Sequence, residues 1–373
     1  MKKVGILGGG QLGRMLLQAA VNYPVETFVL ENDPQAPAAH LCHHFTHGDI
    51  RDFETVYQFG KGLDALTIEI EHVNTEALEK LVAEGVSIFP RVAALKIIQN
   101  KIHQKNFYKE NDLPTSDFVV TNSLHDLRLQ SHFLPAVHKV SNGGYDGKGV
   151  QIIQQAADIE KGFDAPSVLE KKVPIKKEIA IMIAVANNGE TALYPPVEMV
   201  FDQTLNLLSH QLCPAELAEK VLWKVEAIGL TAIKKLNSPG IFAVELFVDI
   251  DDNVLVNEIA PRVHNSGHHT IEGNYSSQFD MLWRIMLNYP LGNTDCILPS
   301  ALVNLIGEDG FAGIPHYDGL EEVLSIDNAF VHLYGKHQTK PGRKMGHVTI
   351  LSKEKQDLLY KANKIKHLLS VRS

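Results

Sequence analysis

Lys139 ends a β-branched run and is followed by Asn142-Gly143-Gly144-Tyr145-Asp146-Gly147-Lys148-Gly149, with four glycines in seven residues. Successive backbone N–H groups in such a loop make a concavity for anions. The lysine reaches a phosphate as a point charge, and the glycines allow close approach and hinged closure. A long hairpin turn is the plain alternative. GxxxxGK[ST] is absent, so the loop is not a P-loop. Further along, Phe242 to Asp249 and Val254 to Ile259 flank a turn at Ile250-Asp251-Asp252-Asn253 and read as a β-hairpin. Each strand carries one carboxylate, Glu245 or Glu258, among apolar neighbours. An ionised carboxylate buried there without a partner is costly, so a cation is expected nearby. Magnesium takes one or two carboxylates plus phosphate oxygens and water, so Glu245, Glu258 and the Asn257 amide suit a metal–ATP site. Solvent-facing strand residues are the alternative that strand alternation allows.

Gly8, Gly10 and Gly13 form GxGxxG between a strand pattern and a helix pattern, with Glu31 beyond it, as in a dinucleotide site. Glycines are required wherever a strand turns sharply into a helix whose N-terminal N–H groups face an anion, and any phosphate meets that geometry. From this motif alone NAD(P), another phosphorylated ligand and tight packing all stay open. Ala260-Pro261-Arg262-Val263-His264-Asn265-Ser266-Gly267-His268-His269 is a polar loop directly after the hairpin. The functional expectation there falls on His264, while His268 and His269 read as structural. Of the 18 histidines, His40, His43, His44 and His47 lack companion carboxylates at metal spacing and read as ordinary.

The elements that must position these groups follow two grammars. Lys3 to Leu7, Gln11 to Asn22, Val25 to Leu30, Asp64 to Ile68 and Asn74 to Glu84 alternate strand and helix, which implies a parallel sheet covered by helices. From about residue 100 the pattern is α+β, with strands at Glu178 to Ala186 and Phe242 to Asp249. Leu217, Val221, Val225, Ile228 and Ala232 make the core stripe of a helix over Ala215 to Leu236. Ala301 to Leu305 and Phe330 to Tyr334 begin a smaller β-rich appendage. The expected units are 1–98, 99–290 with a lid portion at about 112–172, and 291–373. At 373 residues, 45% hydrophobic, the chain is long enough for a substantial core. Its formal charge of -9 disfavours a nucleic-acid polymer as partner. Three scattered cysteines suggest neither a disulfide framework nor a zinc cluster. No apolar run reaches the roughly 18 residues of a membrane span, and no secretory signal opens the chain, so a cytoplasmic enzyme without a membrane partner is expected.

A glycine-rich lid followed by a carboxylate hairpin that runs into Asn257-Glu258-Ile259-Ala260-Pro261-Arg262-Val263-His264-Asn265-Ser266-Gly267-His268 resembles the ATP-grasp superfamily. The wording of that loop is similar to the N5-carboxyaminoimidazole ribonucleotide synthetases. The likeness extends from the opening GILGGGQLGRM to Pro341-Gly342-Arg343-Lys344-Met345-Gly346-His347. It implies an ATP-grasp fold with an N-terminal Rossmann-like domain and a small C-terminal β-rich unit. It also implies ATP-dependent carboxylation of 5-aminoimidazole ribonucleotide by bicarbonate through carboxyphosphate, with magnesium, in a homodimer. By similarity Lys101 and Lys139 bind ATP phosphates, Gly144, Tyr145, Asp146, Gly147, Lys148 and Gly149 form the lid, and Glu178 holds the ribose. Glu170, Lys171, Lys172 and Val173 form the hinge facing adenine, with Lys171 and Val173 offering backbone groups to the purine edge. Glu245 and Glu258 hold magnesium, with Asn257 beside them. Arg262, His264, Asn265, Ser266, Lys336, Arg343 and Lys344 gather around the ribonucleotide, joined by Gly10, Gln11, Leu12, Glu69, Glu71 and Tyr145. Among these Arg262, His264 and Lys344 are the expected catalytic groups. Phe201 stands where a histidine is usual, and Ile68-Glu69-Ile70-Glu71-His72 replaces YEFEN. A related formate-activating ligase acting on a glycinamide ribonucleotide, and an NAD(P)-dependent oxidoreductase, are the rival readings.

Overall fold

The apolar runs near the N-terminus pair side by side. In the computed structural model, which describes residues 1–143, 149–202 and 207–373, strands β1 (Lys2–Leu7), β2 (Val25–Glu31), β3 (His44–His47), β4 (Ala65–Ile68) and β5 (Ser87–Phe89) form one parallel sheet in the order β3-β2-β1-β4-β5. Alternation sends Val4, Ile6 and Val29 into one buried cluster with Leu12 and Leu16. Leu7, Leu30, Leu66 and Ile68 enter another with Leu78 and Leu81. Both faces are therefore dry, which is why these strands read as continuous apolar runs.

Strands β6 (Phe118–Thr121), β7 (Ala136–Val140), β8 (Val150–Ile153) and β9 (Ser167–Lys171) make a separate antiparallel sheet in the order β6-β9-β7-β8. It has its own small core of Leu127, Ala136, Ile153, Ile159 and Leu169.

The third sheet contains β10 (Ile175–Val185), β11 (Thr191–Leu193), β12 (Val197–Asp202), β13 (Leu207–Cys213), β14 (Gly240–Asp249), β15 (Val254–Ala260), β16 (Ser300–Ile306), β18 (Ala329–Leu333) and β19 (Lys344–Leu351); β17 (His316–Asp318) pairs apart with β20 (Ser370–Arg372). The expected helix runs Glu219–Leu236, and Val221, Val225 and Ala232 bury against Ile181, Ile183, Val244 and Leu246. Fully burying such a side chain stabilises the fold by roughly 1.5–3 kcal/mol. Of the C-terminal strands, β16, β18 and β19 continue the central sheet, because β16 pairs with β13. Among the described residues no helix is long and apolar enough to cross a membrane.

The first unit is docked by side chains of the helix Gln278–Leu287. Buried Trp283 donates its indole N–H to the Leu16 carbonyl at 2.7 Å, and Phe279 and Met281 share a cluster with Leu12 and Leu16. This contact sets the glycine loop after β1 at a fixed distance from the hairpin β14–β15.

Candidate active site

Glu245 and Glu258 face each other across the β14–β15 ladder. Beside them the register slips: Glu245 pairs with Glu258 but Leu246 pairs with Val256, which leaves Asn257 as an extra residue. Consecutive strand residues normally point to opposite faces. The bulge lets Asn257 and Glu258 serve the same space: Lys139 Nζ donates to Asn257 Oδ1 at 2.9 Å, and Lys101 Nζ to Glu258 Oε2 at 2.9 Å. On neighbouring β10, Ala180 opposes Glu245, so Glu178, two residues away, shares its face. Lys101 holds Glu258 below the usual carboxylate range, whereas burial and the charges of Glu258 and Glu178 push Glu245 above it. Burial raises Glu178 to about 7.

Lys101 opens the helix Lys101–Glu110, capped by Asn100, whose Oδ1 accepts from the Ile102 and His103 N–H groups. One turn later on the same face comes Lys105, a residue that sequence reasoning missed. It is almost fully buried, 2.9 Å from Glu170 Oε2, and donates to Thr115 Oγ1 at 2.6 Å and Ser116 Oγ at 2.9 Å. Glu170 takes a second cation, Lys139, at 3.0 Å. These two are diagonal neighbours, because Lys139 opposes Val168 on β9 and Glu170 lies two residues on. Burial alone would raise Glu170; Lys139 and Lys105 reverse that and bring it to about 2. Burial lowers Lys105 to about 8 against the pull of Glu170. At neutral pH Glu170 and Lys105 both carry charge. The only sequence signal for Lys105 is its spacing of four from Lys101.

Part of the hinge backbone is already engaged within the sheet. The Lys171 N–H donates to the Asp117 carbonyl at 2.8 Å and the Lys172 N–H to the Pro135 carbonyl at 3.1 Å, so Lys171 does not present its N–H to a purine. The cause is position: β9 lies between β6 and β7, and its backbone is consumed by the sheet. The Glu170 carboxylate turns inward to the lysines. Val173 remains half-buried at the strand end. Gly149 adopts φ +80°, beyond the reach of most side chains, while Gly144, Tyr145, Asp146, Gly147 and Lys148 lie outside the described residues.

The polar loop after β15 brings a second group of predicted residues to the same place. Arg262 Nε lies 2.9 Å from Glu71 Oε1. His264 Nε2 is 3.7 Å from Glu245 Oε1, and its Nδ1 pairs with Ser266 Oγ at 3.0 Å. Lys336 donates to Gln11 Oε1 at 2.7 Å and to the Lys344 carbonyl at 2.6 Å, linking the C-terminal strands to the glycine loop. Arg343 is turned to the Gln338 carbonyl at 2.9 Å. Asn265 and Ser266 depart from expectation. Asn265 is buried between Gln211 and Asn304, and Ser266 is fully buried against His264 and Met182. Their side chains brace the loop because both dock on the polar face of the central sheet. His268 and His269 are buried, as a structural role requires.

The glycine loop holds two carboxyl groups of the chain itself. Glu69 Oε1 accepts the Leu12 N–H at 3.1 Å, and Glu31 Oε2 accepts the Gly9 N–H at 2.8 Å. A Cβ on Gly10 would sit 2.6 Å from Glu69 Oε1, and one on Gly8 2.8 Å from Oε2, so these glycines make room for a carboxylate. Leu12 and Gly10 thus reach a ligand only through Glu69 or after it moves. Glu31, expected of a dinucleotide site to grip a ribose, is spent on the loop's own backbone.

What the arrangement offers is oxygen donors without a closed cage. Among the described residues no group of three or more His, Cys, Asp and Glu is placed to hold a metal. The in-register pair Glu245 and Glu258 fits magnesium, which prefers hard oxygens and takes the rest of its shell from phosphate and water. Burial, with Glu258 and Glu178 close by, disfavours a second ionised carboxylate in this pair unless a cation is bound.

Comparison with known proteins agrees with this geometry. Residues 1–99 match the ribonucleotide synthetase preATP-grasp domain, 106–279 the ATP-grasp domain, and 300–361 the phosphoribosylaminoimidazole carboxylase C-terminal domain. The chain is 35% identical over 378 residues to the N5-carboxyaminoimidazole ribonucleotide synthase of Pseudomonas aeruginosa, covering 98% of this chain and 99% of that one. It spans 64% of the chloroplastic phosphoribosylaminoimidazole carboxylase of Vigna aconitifolia, at 34% identity over 93% of its own length. The crystal structure of N5-carboxyaminoimidazole ribonucleotide synthetase from Thermotoga maritima superposes with a TM-score of 0.91 at 38% identity, with all of both chains covered. That of the Aspergillus clavatus N5-carboxyaminoimidazole synthase with ADP and 5-aminoimidazole ribonucleotide gives 0.89 at 32%, covering 98% of each chain. With three domains matched in order and near-complete coverage at this identity, the chain belongs to the N5-carboxyaminoimidazole ribonucleotide synthase family, built around an ATP-grasp domain.

Proposed function

We propose that this protein is an ATP-dependent carbon–nitrogen ligase that joins bicarbonate to the exocyclic amine of 5-aminoimidazole ribonucleotide, giving N5-carboxyaminoimidazole ribonucleotide, ADP and phosphate in purine biosynthesis. The observation that carries the reading is the meeting of Glu245, Glu258, Lys101 and Lys139 with Arg262 and His264 in one space. One set suits a metal-bound triphosphate and the other an anionic acceptor. Glu245 and Glu258 would hold magnesium, which neutralises phosphate charge when bound. A bicarbonate oxygen attacks the γ-phosphorus, ADP leaves, and carboxyphosphate results. The amine then bonds to the carboxyl carbon, possession of the C–O electrons passes to phosphate, and the amine proton is lost. Phosphoryl transfer asks mainly for positioning and charge neutralisation, which Lys101 and Lys139 supply without a covalent protein intermediate. Arg262, His264 and Lys344 attend the carboxyl transfer, and Lys336, Arg343, Glu69 and Glu71 surround the ribonucleotide. Carboxyphosphate hydrolyses readily, so the lid sheet has water to exclude. The resemblance also supports a homodimer working in the cytoplasm.

The test is ADP release with magnesium–ATP, adding bicarbonate and 5-aminoimidazole ribonucleotide separately and together, with formate and glycinamide ribonucleotide as the control pair. Fast release with the first pair alone is expected. Release driven by the control pair would leave the superfamily right and the substrate wrong, and release with neither would overturn the ligase reading.

A further inference from the structure

Gln278, the first residue of the helix Gln278–Leu287, is fully buried. Its Oε1 accepts the His264 N–H at 2.8 Å, and its Nε2 donates to the His264 carbonyl at 2.8 Å. This two-point pairing is what a neighbouring antiparallel strand gives a backbone residue, supplied here by one side chain. Nε2 also lies 3.0 Å from His268 Nδ1. Burial holds the His268 imidazole neutral, well below its ordinary pKa, so Nδ1 is free to accept. The Gln278 N–H donates to Thr270 Oγ1 at 2.9 Å, and that hydroxyl donates to the Gly267 carbonyl at 2.6 Å. The loop 264–270 is thus folded around one amide. Gly267 shows how closely: a Cβ there would lie 2.6 Å from Gln278 Oε1 and 2.7 Å from its Cδ.

The amide touches nothing that reacts. It fixes the His264 backbone from both sides while Ser266 fixes the ring, and the ring nitrogen is thereby held near the Glu245 carboxylate. We infer that Gln278 is a positioning residue, setting the place of His264. The inference rests on the ligase reading above. A glutamate at 278 would keep the shape and the acceptor for the His264 N–H, but it would turn an acceptor oxygen toward the His264 carbonyl and His268 Nδ1. A methionine would keep the bulk and lose the pairing.

The experiment compares Gln278→Met and Gln278→Glu in the parent protein and in a His264→Ala background. It follows kcat and KM for ADP release, the thermal midpoint, and the His264 ring signal in histidine-labelled protein, assigned by its loss in His264→Ala. In the parent, kcat is expected to fall on the order of 100-fold, the scale of an ångström-sized misplacement, while KM for ATP holds within about twofold, because uniform nucleotide binding is untouched. In the His264→Ala background the same replacements should change kcat by less than about threefold, the mark of two residues acting as a unit. Equal losses in both backgrounds would mean a general folding effect and overturn the proposal, as would Gln278→Met with parental kcat. If Gln278→Met does not fold, Gln278→Glu decides by the same criteria. If the parent itself releases no ADP with bicarbonate and the ribonucleotide, the ligase reading fails separately. The His264 ring signal then decides: displacement in the variants sustains the positioning role, and an unmoved signal ends it.

Discussion

The Lys105 ammonium lies 2.9 Å from Glu170, with the two side chains only 3% and 5% exposed. Without Lys105 the buried Glu170 carboxylate has one cation, Lys139, instead of two. Lys105→Met is expected to destabilise the protein by about 1–3 kcal/mol, read from the urea midpoint. Adding Glu170→Gln should not recover that loss, since Lys139 then loses its carboxylate. A single variant as stable as the parent would remove the pair from the account of the site.

Glu178 gives a pH signature. With its folded pKa raised from 4.5 to about 7 by burial, the folded protein keeps a proton between those values that the unfolded chain has lost. Stability therefore falls as pH rises through that window, and above it the buried charge is carried in full. Glu178→Gln should leave the ligand-free protein nearly unchanged at pH 4.5 and stabilise it at pH 8 by on the order of 1–3 kcal/mol. Thermal unfolding of both proteins across this range checks it. A constant difference would mean that Glu178 titrates normally.

Glu258→Gln should reduce ADP release by about 100-fold or more, roughly 2.7 kcal/mol of barrier, with an unchanged circular dichroism spectrum. It removes a magnesium ligand and the partner that Lys101 holds at 2.9 Å. Near-normal turnover would rule out the metal role.

Gly8 has φ +103°, and a Cβ there would meet Glu69 Oε2 at 2.8 Å. Gly8→Ala should cost about 1–3 kcal/mol through backbone strain and displace the Glu69 carboxylate, raising KM for the ribonucleotide more than for ATP. Equal KM values in variant and parent would separate the glycine loop from that substrate.

How far the site could be read in advance depended on where each partner came from. Glu245 and Glu258 were legible because a hairpin brings them together, and a short turn fixes which strand residues meet. The bulge at Asn257 was not, since one extra residue leaves no mark in an apolar pattern. Lys105 sits in a polar helix that looks solvated, and only β9, far along the chain, buries it. Glu31 and Glu69 show the opposite failure. GxGxxG with a distal acid is the pattern of a dinucleotide site, but both acids turn back onto the loop's own N–H groups, a choice made by side-chain direction. The alternation of strand and helix in the first, parallel sheet was readable from periodicity. The pairing of β16 with β13 was not readable, because register between distant strands has no local signal.

That last pairing bears on what counts as a separable part of this protein. Gln211, Leu212 and Cys213 are laddered to Leu302, Ala301 and Ser300, so the boundary near residue 290 is a join in the chain and not in the architecture. A fragment ending there would carry β13 as a bare edge, with unpaired N–H and C=O groups that recruit any passing strand. Lys336 and Lys344 would be lost with the missing piece, and the glycine loop would lose its cross-link through Gln11. Strands β16, β18 and β19 are therefore the far wall of the catalytic building, whereas the four-stranded sheet β6-β9-β7-β8 shares no ladder with it.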